Sequence, residues 1–171
     1  MPHQRSQWGF TLIELLMVMV IIGIVAGTAV IMMASNQNKS LETFANQLVS
    51  WIRLAEQEAM LRPVTLGLRI QSHTIRFYEY QPDAVSNEYH WVATQQAALR
   101  PRRIPDSIDV TWKNKPALES ASESTHPQMI LLPTGNITPM VMLISKKHDA
   151  PRYRVIGKQN GDVKSEWIDA N

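Results

Sequence analysis

The hydrophobic and polar positions of the chain begin with a long apolar run. Positions 10–34 form 25 residues in which Glu14 is the only charged side chain. As a helix this run would be about 37 Å long, which is enough to cross a hydrocarbon core about 30 Å thick. We therefore predict a transmembrane helix over 10–34, preceded by a short polar segment over 1–9. Arg5 in that segment favours a cytoplasmic amino terminus.

A helical pattern of a different kind continues over 35–62. Its apolar residues recur at steps of three or four and trace one face of a helix. Pro63 biases the residue before it away from helical geometry and is predicted to end the helix there. We therefore predict an amphipathic continuation of the first helix, with these residues on its buried face: Leu41, Phe44, Leu48, Ile52, Ala55 and Ala59.

From 63 to 171 the chain is rich in β-forming runs separated by Pro and Gly. Turns are predicted at Gln71–His73 and at Asn160–Gly161, and a loop is predicted over 117–125. The fold class that follows is α+β, with a long N-terminal helix packed on an antiparallel β-sheet head. The predicted strands cover 64–70, 74–80, 89–94, 108–112, 129–132, 140–145, 153–156 and 163–168.

Glu14 distinguishes the apolar run from an ordinary cleaved secretory signal. Such a signal would end near the small residues at 26–29, but here the apolar run continues beyond them. An acidic side chain inside a membrane helix costs about 2.5–3.5 kcal/mol on insertion scales. The sequence therefore predicts that the charge of Glu14 has a partner.

The residues Gly9 through Glu14 read GFTLIE and are followed by the apolar helix. This arrangement resembles the class III signal of type IV pilins and type II secretion pseudopilins. The resemblance implies that a prepilin peptidase cleaves between Gly9 and Phe10, and that Phe10 is then N-methylated. It also implies that 1–9 is a leader, that Glu14 acts in subunit assembly, and that the head lies in the periplasm. The protein would then be a single-pass protein of the bacterial inner membrane.

Cleavage would create a positive amine on Phe10 at about the membrane depth of Glu14 in a neighbouring subunit. Two such charges attract strongly in a low dielectric, and the pair removes an unpaired carboxylate. Gly23 and Gly27 form a GxxxG spacing, which lets membrane helices approach closely. Glycines are also common in membrane helices generally, so both interpretations of Gly23 and Gly27 stay open.

The segment 129–139, MILLPTGNITP, and the closing hairpin around Asn160–Gly161 resemble the general secretion pathway protein H and FimT-like family. The resemblance implies a minor pseudopilin of the type II secretion system, assembled into the periplasmic pseudopilus that exports folded proteins. The implied partners are other major and minor pseudopilins, the prepilin peptidase/methyltransferase, the inner-membrane secretion platform and a secreted substrate. An alternative within the family is a FimT-like minor type IV pilin that binds DNA during uptake. The region 81–126 resembles nothing with a known role.

Composition argues against catalytic chemistry. The chain has no cysteine, and its five histidines are scattered without the spacing of metal ligands. No nucleophile elbow, phosphate-binding glycine loop or metalloprotease motif occurs. We therefore predict that the protein is not an enzyme and that it holds no metal or cofactor.

Basic residues cluster in two places in the head, where the DNA-binding alternative would need them to neutralise phosphates. Positions after 40 carry 15 basic and 14 acidic side chains, so the head is close to neutral. This balance favours solvated side chains and guards of strand edges, and nucleic acid is not a favoured partner. The clusters comprise Arg100, Arg102 and Arg103, and Arg152 and Arg154 with Lys146, Lys147 and Lys158.

Overall fold

The computed structural model describes residues 11–113 and 126–168, with side chains left out over 28–38. The chain divides into two compact units, Met1–Ser40 and Leu41–Asn171. The cleavage residues Gly9 and Phe10 and the predicted loop over 117–125 lie outside the described residues.

The first unit is helical. Helix α1 spans Leu12–Leu61, and its first part belongs to this unit. Every residue from 11 to 27 is exposed. Among the described residues, no helix is both long and apolar enough to be assigned as crossing a membrane.

In the second unit, α1 continues from Leu41 and packs one face into the core. All six residues of the predicted stripe are buried, and Ala45 and Val49 widen that buried face. The helix ends at Leu61, two residues before Pro63, as the proline predicts. The amphipathic pattern therefore reports the packed face of this part of the helix.

In the described part of the chain, nine strands follow the helix, and most of them match the predicted runs to within one or two residues. Two elements were not predicted: a short 3₁₀ turn at Ala97–Leu99 and a two-residue strand in a segment without a predicted element. The strands are β1 Leu66–Gln71, β2 Thr74–Pro82, β3 Tyr89–Ala93, β4 Arg102–Arg103, β5 Ile108–Trp112, β6 Met129–Leu131, β7 Met140–Lys146, β8 Tyr153–Gly157 and β9 Val163–Trp167.

The nine described strands form two antiparallel sheets, a division that the sequence did not indicate. The first sheet has the order β3-β2-β1-β6, with β4 also paired to β2, and the second has the order β5-β7-β8-β9. Pro101 and Pro105 flank β4 and lack the N–H that would extend its pairing. The next strand, β5, pairs with β7 instead.

A single hydrophobic core joins the helical stripe to the inward side chains of both sheets. On β6, β7 and β8, buried residues alternate with partly exposed ones, as expected for sheets with one packed face. The helix residues Leu48 and Ile52 belong to the same core as these strand residues: Leu66, Leu68, Ile75, Phe77, Met129, Leu131, Met140, Met142, Ile144, Val155 and Val163.

Both predicted turns are hairpins. Gln71 pairs with Thr74, so the first turn consists of Ser72 and His73, whose φ angles of 49° and 56° match a type I′ turn. In the second hairpin Gly157 pairs with Val163, so the loop is wider than a two-residue turn.

Gly161 in that wider loop has a φ of +84°, which favours glycine. A Cβ at Gly161 would overlap the Glu56 carboxylate and would lie 2.6 Å from the backbone oxygen of Gly135. Gly135 itself has a φ of +81°. The two glycine turns therefore meet against α1 in a space that admits no side chain at Gly161.

Candidate assembly segment and head surfaces

Glu14 lies in the first turn of α1 and is exposed. Its backbone N–H donates to Oγ1 of Thr11 at 3.3 Å, so Thr11 caps the helix. The positive end of the helix dipole favours a carboxylate at this position. Sequence reasoning missed the cap, although a Thr three residues before a Glu is the spacing of a capping box.

The first unit exposes an unusual amount of apolar surface. Each large hydrophobic side chain from Leu12 to Val25 is between 48% and 84% exposed. A contiguous exposed apolar surface of this kind marks a contact with a membrane or with another protein. The side chains are Leu12, Ile13, Leu15, Leu16, Met17, Val18, Met19, Val20, Ile21, Ile22, Ile24 and Val25.

Gly23 and Gly27 are one helical turn apart on α1, and both are exposed. Nothing lies within 4 Å of the position that a Cβ would take at either residue. Gly23 is about two and a half turns beyond Glu14, so the two residues lie on opposite sides of the helix. The structure therefore does not bring the glycine pair and Glu14 to one face, and contacts made through them would involve different neighbours.

A buried ionic cluster connects the end of α1 to the first sheet. Glu79 on β2 is only 4% exposed. It accepts hydrogen bonds from Arg62 Nη1 at 2.8 Å, from Thr94 Oγ1 at 2.9 Å and from Gln81 Nε2 at 2.5 Å. Burial alone would raise the pKa of Glu79, but these hydrogen bonds outweigh it and hold that pKa below its usual value. The cluster is structural, and the sequence pattern did not single it out.

The first basic cluster has partners within the head. Arg103 Nη2 lies 2.9 Å from the Asp106 carboxylate, and the Arg102 guanidinium lies 4.8 Å from the ring centre of Trp51. Arg100 donates to the backbone oxygen of Ala97 at 3.1 Å. As β4, Arg102 and Arg103 form a short edge strand, which agrees with the interpretation of this cluster as an edge guard.

The second basic cluster lies by the other sheet. Arg154 is on β8, an inner strand, so it does not guard an edge. Its Nη2 lies 2.8 Å from the Glu166 carboxylate, and the Arg152 guanidinium lies 5.9 Å from the ring centre of Trp167. Because these cations already have partners in the head, their arrangement does not favour a phosphate-binding surface.

Histidines and carboxylates do not gather into a metal site in the described part of the chain. No group of three or more such residues over 11–113 and 126–168 is arranged to hold a metal ion. His73 Nε2 lies 3.5 Å from the Asp109 carboxylate, which joins the first hairpin to β5 of the other sheet. This pair is a contact between the two sheets.

A long helix with an exposed apolar amino-terminal part and a β-sheet head place the chain in the class of pilin-like proteins. Residues 4–30 match the prokaryotic N-terminal methylation motif, which is the motif that the resemblance at Gly9–Glu14 predicted. Residues 45–161 match the family of the type II transport protein GspH. The chain belongs to that family, and the predicted resemblance is confirmed. The motif and the family together imply a membrane-anchored periplasmic pseudopilin.

Five curated relatives of the chain are each named type II secretion system protein H. The chain is 25% identical over 161 residues to the type II secretion system protein H of Pectobacterium carotovorum subsp. carotovorum, and the match covers 85% of each chain. It is 25% identical over 154 residues to the protein of that name from Pseudomonas aeruginosa, covering 84% of this chain and 86% of the relative.

Two solved structures share the fold. The minor pseudopilin EpsH from the type 2 secretion system of Vibrio cholerae superposes with a TM-score of 0.58 at 19% identity, covering 73% of this chain and 94% of EpsH. The solution structure of GspH from E. coli gives a TM-score of 0.53 at 17% identity, covering 72% of this chain and 84% of GspH. The α+β fold with a helix and antiparallel sheets is thereby confirmed.

Proposed function

We propose that this protein is a minor pseudopilin that is cleaved between Gly9 and Phe10, methylated on Phe10, and assembled into the pseudopilus of a type II secretion system. The pseudopilus would export folded proteins across the outer membrane. The proposal is supported by the methylation motif over 4–30 in the same chain as a GspH-type head. Its partners would be other pseudopilins, the prepilin peptidase/methyltransferase, the inner-membrane platform and a secreted substrate at the head.

The observation that carries the proposal is the exposed apolar surface from Leu12 to Val25. Burying a large aliphatic side chain contributes about 1.5–3 kcal/mol, so a dozen exposed ones strongly favour transfer out of water. Lipid would cover this surface before assembly, and helices of neighbouring subunits would replace lipid afterwards. We assign 1–9 to the leader, 10–34 to a single membrane span, 35–62 to the amphipathic helix and 63–171 to the periplasmic head.

Glu14 is the residue of that surface with a specific role in assembly. Its own amine after cleavage would lie about one helical turn away, roughly 6 Å along the axis. The amine on Phe10 of a neighbouring subunit can approach more closely, so the ion pair favours assembly over the inserted monomer. Gly23 and Gly27 would serve a separate helix contact on the opposite side.

Mass spectrometry of the amino-terminal peptide tests the processing step. The full chain is produced in a host that contains a prepilin peptidase, and the mature protein is expected to begin at methylated Phe10. Gly9→Val should abolish cleavage, whereas the same substitution at a glycine within α1, Gly23→Val, should leave it intact. A mature chain that begins near Thr28 or Val30 would instead indicate an ordinary signal peptidase and contradict the proposal.

A complementation assay tests the secretion step. A strain that lacks its own protein H is supplied with the full chain, and export of a secreted enzyme is measured in the medium. Restored export that is lost again with the Gly9→Val chain supports the proposal. Normal processing without restored export would contradict a role in secretion and leave the pilin class intact.

A further inference from the structure

A cavity of about 590 Å³ opens on the first sheet beside the β2–β3 hairpin. All of its lining residues belong to the head, so the cavity is separate from the exposed apolar surface at Leu12–Val25. Its lining combines three aromatic rings with two carboxylates, two imidazoles and a hydroxyl. The residues are Tyr80, Tyr89, Trp91, Asp83, Glu88, His90, His126 and Ser86.

The three aromatic rings form a row along the cavity. Tyr80 on β2 pairs directly with Trp91 on β3, and Tyr89 lies two residues before Trp91 on the same face of that strand. The Tyr80 ring centre lies 4.9 Å from Trp91 and 5.2 Å from Tyr89. Tyr80 is 41% exposed and Tyr89 is 59% exposed. Tyr80 and Tyr89 are therefore partly accessible to an incoming group.

The two carboxylates lie at the hairpin loop that borders the row. Asp83 Oδ1 accepts the backbone N–H groups of Ser86 at 2.9 Å and Val85 at 2.8 Å, which fixes the orientation of this carboxylate. These backbone hydrogen bonds, that of Ser86 foremost, lower the pKa of Asp83, and the nearby His90 lowers it further. Over 11–113 and 126–168, no lysine or arginine forms an ion pair with Asp83 or with Glu88.

Asp83 and Glu88 differ in this respect from the ion-paired carboxylates of the head. Several other head carboxylates are placed within 4.0 Å of a basic nitrogen. Those pairs are Glu79 with Arg62, Asp106 with Arg103, Asp109 with His73, Asp162 with Lys158, and Glu166 with Arg154 and Lys164. Among the described residues, the cavity thus has two carboxylates without a lysine or arginine ion-pair partner beside its aromatic rings, with His90 as a neighbouring basic group.

We propose that this cavity is a docking site for an arginine side chain presented by a partner protein. A guanidinium group stacks on aromatic faces and can bond a carboxylate through two N–H groups at once, so it matches both halves of the lining. A lysine ammonium group would also pair with the carboxylates, but it is not planar and cannot stack on the aromatic rings as a guanidinium does. Val85, at the tip of the same loop, is 95% exposed and extends the contact surface beside the cavity.

Fluorine NMR on the full chain in detergent micelles measures the binding. The protein is labelled with 5-fluorotryptophan, which gives one signal for each of its five tryptophans. The Trp91 signal is assigned from its loss in Trp91→Phe, and the Trp167 signal is an internal control because that ring also lies beside an arginine. The probes are acetyl-Gly-Ser-Arg-Ser-Gly-amide, its lysine analogue, and its citrulline analogue, which is nearly isosteric with arginine but uncharged.

The arginine peptide is expected to shift the Trp91 signal to saturation while leaving Trp167 unmoved. It should bind at least about threefold more tightly than the citrulline peptide, since a cation–π contact at an exposed site contributes a factor of roughly two to five. Its affinity should fall as salt is added. The lysine peptide should bind between the other two.

Substitutions test the contribution of the aromatic rings to arginine binding separately from that of the carboxylates. Tyr89→Ala should weaken arginine binding about threefold, whereas Tyr89→Phe should retain it because the ring remains. Asp83→Asn keeps an oxygen for the loop hydrogen bonds and removes the charge, so it should weaken binding and reduce its salt dependence, as should Glu88→Gln. Asp106→Asn, a matched exposed carboxylate elsewhere in the head, should leave binding unchanged.

Three results would overturn the proposal. Equal affinity for the arginine and citrulline peptides would show that charge is not recognised. Unchanged binding by Tyr89→Ala would show that the ring row is not used. A shift of Trp91 by a neutral oligosaccharide such as chitotriose, without a shift by the arginine peptide, would assign the aromatic row to sugar binding instead.

Discussion

Replacing Arg62 with methionine should destabilise the head because it leaves the Glu79 carboxylate buried without its cation. Glu79 is 4% exposed and Arg62 supplies its shortest hydrogen bond from a cation, at 2.8 Å, with a second contact at 3.4 Å. Removing one partner of a fully buried ion pair costs about 3–5 kcal/mol. The Arg62 side chain is 34% exposed, and Thr94 and Gln81 still donate to Glu79 in the variant. We therefore expect the free energy of unfolding of the head to fall by about 2–3 kcal/mol.

The measurement is thermal unfolding of the full chain in detergent, followed by circular dichroism of the β signal. For a folding unit of this size, 1 kcal/mol corresponds to about 3–5 °C, so the midpoint should fall by about 6–15 °C. Arg76→Met is the matched control, because Arg76 is exposed on β2, the strand that carries Glu79, and forms no ion pair among the described residues. That control should move the midpoint by no more than about 2 °C.

The pH dependence of the difference in unfolding midpoint between the native chain and Arg62→Met tests whether the charge of Glu79 is the cause. The folded-state pKa of Glu79 lies below its ordinary value of 4.5, so its stabilising contribution is present above about pH 4.5 and is lost as the pH falls through the folded pKa. The difference in unfolding midpoint between the native chain and Arg62→Met should therefore become smaller in acid, because a protonated Glu79 carries no charge that needs a cation. A midpoint within about 2 °C of the native chain at pH 7, or a gap that stays constant down to about pH 3.5, would refute this explanation.

Three further predictions concern other parts of the chain. Glu14→Ala should leave cleavage and membrane insertion intact but reduce crosslinking to other pseudopilins in membranes, and normal crosslinking and secretion would contradict the ion-pair role. Gly161→Ala should destabilise the head by about 2 kcal/mol or more in the same unfolding assay, because its φ is +84° and its Cβ would lie 2.6 Å from the Gly135 oxygen; an unchanged midpoint would contradict this. Duplex DNA should bind the full chain no tighter than roughly 10⁻⁴ M at physiological salt in a gel-shift titration, whereas sub-micromolar binding lost on Arg152→Ala and Arg154→Ala would favour the DNA-uptake alternative.

The sequence alone was sufficient for features that depend on near neighbours in the chain. The helical stripe from Leu41 to Ala59, the stop before Pro63 and most strand positions follow from side-chain periodicity and backbone restrictions over a few residues. The turn at Ser72–His73 is likewise local. The amino-terminal signal is a contiguous motif, so its residues are sufficient to identify the class of protein. The roles of Gly9, Phe10 and Glu14 remain predictions.

Only the tertiary structure decided which distant segments meet. Periodicity tells which face of a strand is buried but not which strand lies beside it, so the division into two sheets could not be predicted. For the same reason the sequence predicts no element at Arg102 and Arg103, although pairing with β2 makes them a strand. The burial of Glu79 depends on Arg62 and Thr94, which approach it from separate elements. The aromatic and acidic cavity arises in a region whose local pattern resembled nothing, because strand register and a remote loop residue, His126, bring its lining together.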